Sequence, residues 1–243
     1  MTALGEGWDS VATLVDDRWV ERRPKRAEVR ELLRREARVL PWLAPQLPLA
    51  VPIPVVWQED PLVVRHELVP GEPGELTADD GRVLGRFLRA LHGADVPAAR
   101  SLGVAAVEVS LDAVLPLLGP LGAEGRALLA EVRAYPADTV VHADLGPEHL
   151  LRRDGRLTGV IDWSDLAIGD RALDLAWLLH GAPADCVAGL EAEYPVTAEL
   201  RRRAAAWNRL GPWHEVVYGL ENDRPDLVTS GLAGVRDRMA GGT

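Results

Sequence analysis

The residues best suited to chemistry lie in one stretch, from Val140 to Leu179. His142 and Asp144 are followed by His149, and Asp162 comes thirteen residues after that histidine. Carboxylates and neutral imidazoles can both bind divalent metals. A metal beside a second carboxylate is what phosphoryl transfer requires, because the metal neutralises phosphate charge while the carboxylate orients the attacking hydroxyl. These residue types are therefore compatible with metal-assisted transfer of a phosphoryl group.

A β-hairpin is expected to bring two of these residues together. Asp154-Gly155 is a strong signal for a two-residue hairpin turn, and apolar-rich segments flank it on both sides. Counting outward from the turn predicts that His149 faces Val160, with Asp162 on the same side of the sheet as a diagonal neighbour. Asp144 follows the short apolar strand TVV and reaches the same place through a tight turn. The sequence thus predicts one site that contains Asp144, His149 and Asp162.

A carboxylate on the apolar face of a predicted helix is the second sign of a site. Beyond Pro24, apolar residues recur at helical spacing, and Glu36 falls in the middle of their face: Val29, Leu33, Leu40 and Leu43. An unpaired buried charge costs several kcal/mol, so a cation is expected to reach Glu36. Arg22 and Arg23 on the preceding strand are the nearest candidates. The alternative is that Glu36 turns toward solvent.

The other elements follow from turn and periodicity signals. Residues 11–21 read as two short strands joined at Asp16-Asp17, and the Pro-rich segment LPLAVPIPVV reads as the entry to a buried strand. The turn-rich PGEPGE, residues 70–75, ends this first unit. Beyond it, Thr77 and Asp80 resemble a capping box that opens a helix. Residues 111–135 read as a further helix, broken at its two prolines.

Together these segments resemble the aminoglycoside phosphotransferase family. HADLGPEHLL, VIDW and GDRALDLA are similar to its catalytic and metal-binding segments. The resemblance implies an α+β, two-lobed, protein-kinase-like fold. Its small N-terminal β-sheet lobe with one helix would span residues 1–69, and its larger, mainly helical C-terminal lobe residues 70–243. The implied activity is ATP-dependent O-phosphorylation of a small molecule, such as an aminoglycoside or macrolide antibiotic, with GTP as an alternative donor.

The resemblance also implies roles for residues of the larger lobe. Asp144 would be the catalytic base or hydroxyl-orienting residue. Asp162 would be the principal ligand of Mg²⁺, with His149 as the second ligand. Other side chains would brace the catalytic loop and the helix that follows: His142, Asp170 and Asp174.

Residues of the smaller lobe would bind the nucleotide. GEGWDSVATLV is similar to a phosphate-covering hairpin, whose candidate contacts are Gly5, Gly7 and Ser10. Arg22 falls where the family places its phosphate-contacting cation, and Glu36 falls where the family places the partner of that cation. Backbone groups of Glu67 to Val69 would reach the adenine ring.

Three departures from the family pattern leave alternatives open. His149 stands where most relatives carry an asparagine that binds a second metal, which favours Mn²⁺ or lost catalysis. Arg22 replaces the usual lysine, which changes the geometry of the phosphate contact. Only four residues precede Gly5, so the first strand is expected to be nearly absent. A nucleotide-binding pseudokinase is therefore one alternative, and a metal-dependent hydrolase built on the same histidines and aspartates is another.

Composition excludes some partners. The 27 basic and 37 acidic residues give a net charge of -10, so a nucleic-acid partner is not expected. Without an apolar span, a leader-like start or paired cysteines, we expect a cytoplasmic protein that does not insert into a membrane. Four histidines are expected in the core or at helix ends: His66, His92, His180 and His214. Six acidic residues could line a pocket for a cationic acceptor: Asp165, Glu191, Glu193, Glu215, Glu221 and Asp223.

Overall fold

The computed structural model describes the backbone of residues 2–6 and all atoms of residues 10–240. The chain begins with a five-stranded antiparallel sheet in the order β1-β2-β3-β5-β4. One helix, α1 (Val29–Leu43), lies between its third and fourth strands. The strands are β1 (Thr2–Glu6), β2 (Ser10–Val15), β3 (Trp19–Pro24), β4 (Val55–Glu59) and β5 (Leu62–Glu67).

The first strands follow the predicted pattern, with one correction. β2 and β3 are joined at Asp16-Asp17, both in the left-handed conformation with φ of 52° and 51°. β1 was expected to be nearly absent, yet it is a five-residue strand that pairs with β2. Side chains alternate along a strand, so Val20 and Arg22 of β3 point to one face. Arg22 is opposite Val64, which packs with α1, and its side chain therefore reaches the helix.

The prediction of a buried strand after the Pro-rich segment was wrong. All five residues of β4 are exposed, including Trp57 at 59%. The physical reason is that β4 is the last strand of the sheet and pairs only with β5. The guanidinium of Arg65 stacks on the Trp57 ring at 3.8 Å from its centroid, which covers part of this apolar surface.

The remainder of the chain is mainly helical. Thr77 and Asp80 form the predicted capping box, with Asp80 N–H donating to Thr77 Oγ1 at 3.3 Å and Thr77 N–H donating to Asp80 Oδ2 at 2.9 Å. The helix predicted over residues 111–135 is shorter, because 3₁₀ turns at Asp112–Leu117 and Gly119–Leu121 accommodate the two prolines. The helices are α2 (Ala78–His92), α3 (Val96–Ser101), α4 (Gly122–Arg133), α5 (Ala176–His180), α6 (Ala184–Glu193), α7 (Ala198–Glu221) and α8 (Pro225–Ala240).

Two small antiparallel sheets lie among these helices, and the candidate site residues Asp144, His149 and Asp162 lie next to the ends of their strands. β7 pairs with β10, and the hairpin of β8 and β9 pairs with β6 on one side. At the turn of that hairpin, Asp154 and Gly155 have φ of 51° and 76°, as the two-residue turn requires. These strands are β6 (Glu72–Pro73), β7 (Thr139–Val141), β8 (Leu150–Arg153), β9 (Arg156–Val160) and β10 (Ala167–Gly169).

The predicted register of the hairpin was wrong by one residue. The pairing skips Thr158, so Leu150 faces Val160, and His149 lies opposite Ile161. Thr158 is the extra residue of this bulge, and its hydroxyl donates to the carbonyl of Pro70 at 2.6 Å, a contact that counting from the turn could not show. His149 is consequently one step nearer to Asp162 than predicted.

The main core joins the two parts of the chain. The second half of α1 contributes Val39, Leu40 and Leu43 to the same apolar cluster as α2, α4 and α7. The segment after α1 also enters it, because Ala50 N–H donates to the Thr158 carbonyl at 3.2 Å and the Ala50 carbonyl accepts from Val160 at 2.9 Å. The architecture is the predicted α+β arrangement. Among the described helices, none is both long and apolar enough to cross a bilayer.

Candidate active site

Asp144 lies on a loop that leaves β7 and is held by a buried carboxylate. Asp174 accepts the backbone N–H groups of His142 at 2.9 Å and Ala143 at 2.8 Å. Ala143 has φ of 70°, a left-handed conformation that a non-glycine residue adopts only when its surroundings enforce it. Burial alone would raise the pKa of Asp174, but the hydrogen bonds and nearby His92 hold it below its ordinary value. The side chain of Asp144 is half exposed, so it is open to a ligand.

The buried ring of His142 fixes the direction of this loop. Its Nε2–H donates to the carbonyl of Ile161 at 3.0 Å, since a carbonyl can only accept. Nδ1 is then the acceptor and takes the backbone N–H of Asp144 at 3.3 Å. Burial lowers the pKa of His142, which keeps the ring neutral with this tautomer. His142 thus braces the loop, as predicted, and ties it to the end of the hairpin.

His92 and Asp170 also help to hold the catalytic loop. We call the contact of Asp174 with the N–H groups of His142 and Ala143 the clamp. His92 lies between Asp174, at 3.0 Å from Nε2, and the hydroxyl of Tyr194, at 2.7 Å from Nδ1. Sequence reasoning placed His92 in the core but missed its bond to the clamp, because its partners lie 82 and 102 residues away. Asp170 accepts the N–H of Ala172 and the Nε1–H of Trp207, both at 3.1 Å, which agrees with the predicted bracing role, but it does not cap α5, whose N-cap is Leu175.

His149 and Asp162 face each other as a pair. The Nδ1–H of His149 donates to the backbone carbonyl of Asp144 at 2.7 Å, which leaves the Nε2 lone pair free. That Nε2 lies 3.7 Å from Asp162 Oδ2. Asp162 has φ of 61°, so its carboxylate turns back toward the histidine instead of continuing the strand. An imidazole fixed in this tautomer by a carbonyl is in the form that binds metals.

The donor set suits a metal that also binds a ligand's oxygens. Within residues 10–240, no group of three or more His, Cys, Asp or Glu side chains is arranged to hold an ion alone. Mg²⁺ commonly takes one or two carboxylates and completes its shell with water and phosphate oxygens. The His149–Asp162 pair fits that pattern, whereas the closed zinc set that a hydrolase would need is not found there.

Arg22 is the predicted partner of Glu36. Its Nη1 donates to Glu36 Oε2 at 2.7 Å, while Arg23 pairs with Glu21 instead. Glu36 is 2% exposed, and burial raises its pKa while the guanidinium of Arg22 acts against that rise. Arg22 Nη2 also lies 4.0 Å from Asp162 Oδ1, so Arg22 and the His149–Asp162 pair are parts of one site.

Two serines complete the environment of the arginine. Arg22 Nε donates to Ser10 Oγ at 3.1 Å, and Nη2 donates to Ser164 Oγ at 2.9 Å. With the bond to Glu36, described residues use three of the five guanidinium N–H groups, which leaves two for a ligand. A lysine could not hold these three partners in one plane. The three hydrogen bonds therefore fix the position of the Arg22 guanidinium and require an arginine there.

The residues predicted to bind a nucleotide lie partly inside the described chain. Gly5 lies in β1 opposite Ala12, and Gly7 lies outside the described residues. The side chain of Glu67 is exposed and pairs with Arg18 at 2.6 Å, and Val69 is buried. The Glu67 carbonyl accepts the Nδ1–H of buried His66 at 2.8 Å.

The six acidic residues predicted to line an acceptor pocket lie on several elements. Glu191 pairs with Arg201, Glu193 lies 3.1 Å from Arg86 Nη1, and Glu215 accepts Ser230 Oγ–H at 2.7 Å. The others are exposed: Asp165, Glu221 and Asp223.

The prediction for two of the remaining histidines can be compared with their positions. His180 is the last residue of α5, a helix end as predicted. His214 is exposed within α7, so its prediction as a core or helix-end residue was wrong.

Comparison with known proteins places this site in a family. The model of the family described as "APH: Phosphotransferase enzyme family" matches residues 1–213. Among curated proteins, YcbJ of Bacillus subtilis (strain 168) is 25% identical over 188 residues. That match covers 64% of this chain and 60% of YcbJ, which is less than two thirds of the relative's length.

Solved structures share the whole fold. The structure of the GDP and kanamycin complex of APH(2")-IIia matches with a TM-score of 0.80 and 23% identity, over 99% of this chain and 93% of that one. The macrolide 2'-phosphotransferase MphH from Brachybacterium faecium, as apoenzyme, matches with a TM-score of 0.74 and 25% identity, over 96% and 90% of the two chains. These likenesses confirm the predicted fold class.

Proposed function

The chain belongs to the phosphotransferase enzyme family, and on that premise we propose that it transfers the γ-phosphate of ATP to a hydroxyl of a small-molecule antibiotic. One observation carries the proposal. Asp144 is clamped beside the His149–Asp162 pair, and Arg22 lies 4.0 Å from Asp162. A proton-accepting carboxylate, a metal-binding pair and a phosphate-binding cation are the parts that phosphoryl transfer needs.

The metal would be held by Asp162 and His149. Mg²⁺ is the expected ion, and the imidazole also admits Mn²⁺, which tolerates nitrogen ligands better. When bound, the ion neutralises charge on the phosphates of the nucleotide. The chain's own part is to hold both ligands, through the Asp144 carbonyl on Nδ1 of His149 and through the turned backbone of Asp162.

The remaining roles divide between catalysis and nucleotide binding. Asp144 orients the acceptor hydroxyl and takes its proton as the oxygen attacks the γ-phosphorus in line, while the bond from that phosphorus to the β,γ-bridging oxygen breaks and ADP leaves. Arg22, fixed by Glu36, donates its two remaining N–H groups to the phosphates, and we assign Gly5, Gly7 and Ser10 to contacts with the same phosphates. The backbone from Glu67 to Val69 holds the purine, and GTP could take the place of ATP there. We place the reaction in the cytoplasm, where both nucleotides are supplied.

The acceptor is inferred from relatives and from charge. One similar structure is a complex with GDP and kanamycin, and another is a macrolide phosphotransferase. The net charge of -10 favours a cationic acceptor, since opposite charges raise the local concentration of a ligand. Glu215 and Glu221 of α7 and Asp223, which follows that helix, are among the acidic residues that we assign to contacts with such an acceptor. The acceptor class is therefore an aminoglycoside first and a macrolide second.

The test measures metal-dependent ADP release from ATP across a panel of aminoglycosides, macrolides, peptide antibiotics, nucleosides and amino alcohols. Acceptor-stimulated release is expected, and Asp144→Asn should lower kcat by about 10²- to 10⁴-fold, the scale of general acid–base catalysis. Asp154→Asn is the matched control, because Asp154 is 91% exposed at the hairpin turn and asparagine tolerates its left-handed backbone. Near-full turnover in Asp144→Asn would show that the role assigned to Asp144 is wrong.

One observation favours a second candidate. His149 occupies the position of a metal-binding asparagine, and a nitrogen ligand weakens the case for Mg²⁺-dependent turnover. The alternative is a pseudokinase that binds a nucleotide and acts as a regulatory or binding module. A flat acceptor panel together with measurable nucleotide binding would support it.

A further inference from the structure

We propose that Ser164 is a positioning residue that keeps Arg22 away from Asp162, so that the carboxylate stays available to the metal; this rests on the function proposed above. Ser164 lies two residues after Asp162 and is 6% exposed. Neither the spacing of the motifs nor the resemblance to the family drew attention to it.

The hydroxyl of Ser164 has one arrangement of donors and acceptors. It accepts Arg22 Nη2–H at 2.9 Å, because a guanidinium can only donate. It therefore uses its single proton to donate to Glu36 Oε1 at 3.1 Å. Ser164 thus bridges Arg22 and Glu36, and the nitrogen that it binds, Nη2 of Arg22, is the one that faces Asp162.

The segment that carries this hydroxyl cannot easily move. Between Asp162 and Ser164, Trp163 is fully buried, and its Nε1–H donates to the Val160 carbonyl at 3.1 Å. From α1, Arg35 donates to the carbonyl of Ser164 at 2.6 Å. The hydroxyl and the Asp162 carboxylate are therefore held on the same short, anchored stretch of backbone.

Loss of the hydroxyl would give Arg22 a different partner. Among the described ion pairs of Arg22, the remaining carboxylate is Asp162, whose Oδ1 is already 4.0 Å from Nη2. A rotation that closed this gap would form a charge-assisted pair and neutralise the ligand that the metal requires. Metal binding, more than nucleotide binding itself, should then suffer.

The experiment measures ADP affinity of the full chain as a function of Mg²⁺ concentration, by calorimetry, for Ser164→Ala and wild type. We expect Ser164→Ala to need about tenfold more Mg²⁺ for half-maximal tightening of ADP binding, the scale of one hydrogen bond to a charged group. ADP affinity without metal should change by less than about twofold, because Nη1 of Arg22 stays bonded to Glu36 and the N–H that turns to Asp162 is the one released by Ser164, so the two N–H groups assigned to phosphate are kept. Ser164→Thr keeps the hydroxyl and should restore the wild-type metal requirement.

The control variant is Ser101→Ala, since Ser101 is exposed at the end of α3 and bonds only its own helix. An unchanged Mg²⁺ requirement in Ser164→Ala would overturn the proposal. Equal losses of ADP affinity with and without metal would overturn it too. So would a Ser164→Thr variant that keeps the wild-type Tm but does not restore the wild-type Mg²⁺ requirement. Either result would mean that Ser164 acts only through packing. Wild-type protein that binds no ADP, or binds it without a metal effect, would instead overturn the proposed function.

Discussion

Replacing Glu36 by glutamine tests whether the buried pair with Arg22 organises the site. The substitution keeps the shape of the side chain and removes its charge. The amide oxygen can still accept from Arg22, but the charge that strengthens this 2.7 Å bond is lost, and the amide NH2 takes the place of the oxygen to which Ser164 donates at 3.1 Å. Both losses fall inside the core at a side chain that is 2% exposed.

The magnitude follows from two opposing effects. Removing one partner of a buried pair costs about 3–5 kcal/mol when the other charge is left unpaired. Arg22 keeps its bond to Ser10 and is 14% exposed, so part of that cost is recovered by solvent and by the remaining partner. The desolvation that raises the pKa of Glu36 is also relieved. We expect a net loss of about 2 kcal/mol, which lowers Tm by about 4–8 °C in a chain of this size.

The assay is thermal unfolding followed by circular dichroism, with Glu31→Gln as the matched control on the same helix. Glu31 pairs with Arg38 at 2.7 Å but is 67% exposed, and such an exposed pair contributes at most about 1 kcal/mol. Its variant should therefore lose no more than about 2–4 °C, less than the variant of Glu36. Equal shifts in Tm for the two variants would refute the reasoning that burial makes the Glu36 pair important.

Two further predictions concern packing and pH. Gly189→Ala would place a Cβ 2.1 Å from the Ala78 carbonyl and force α2 and α6 apart, so chemical denaturation should show a loss of about 1–3 kcal/mol or more. Gly122→Ala, whose Cβ would meet nothing closer than 3.7 Å, should be neutral or stabilising by up to about 1 kcal/mol, and similar losses in both would contradict the close-approach explanation. Burial lowers the pKa of His66 and His142 in the folded state, so the folded protein favours their neutral form. Their contribution to the free energy of unfolding is therefore complete above the unfolded-state pKa of about 6.5. It is lost as the pH falls from there toward the lower folded-state pKa values. The free energy of unfolding measured with urea should fall between pH 7.5 and pH 5.5. His66→Gln should make this fall smaller. An equal fall in His66→Gln and wild type would mean that other groups cause the acid sensitivity.

Local rules predicted the parts of the site that lie close in sequence. The turn residues and the alternation of side chains were enough to bring His149 near Asp162, even though the register was one residue off. Charge on an apolar helix face was enough to predict a cation at Glu36, because the cost of an unpaired buried carboxylate exceeds any local preference. These arguments succeed where one short-range rule dominates.

What the sequence could not predict depends on contacts between distant segments. The bulged residue Thr158 bonds the Pro70 carbonyl, 88 residues away. The exposure of β4 depends on the order of strands in the sheet, which the apolar run around Trp57 does not reveal. The roles of His92 and Ser164 were missed for the same reason, since neither residue has its important partner nearby in the chain.

The strand-like pairing of Ala50 with β9 also bears on how the protein is made. On the ribosome, Ala50 emerges more than a hundred residues before Gly159, its partner in the finished molecule, and the second half of α1 emerges before α2, α4 and α7, whose core it joins. Until then their apolar side chains have no core to enter, and such exposed surfaces are the usual targets of chaperones. The first seventy residues should therefore acquire stable structure late in synthesis, and the chain should unfold as one cooperative unit.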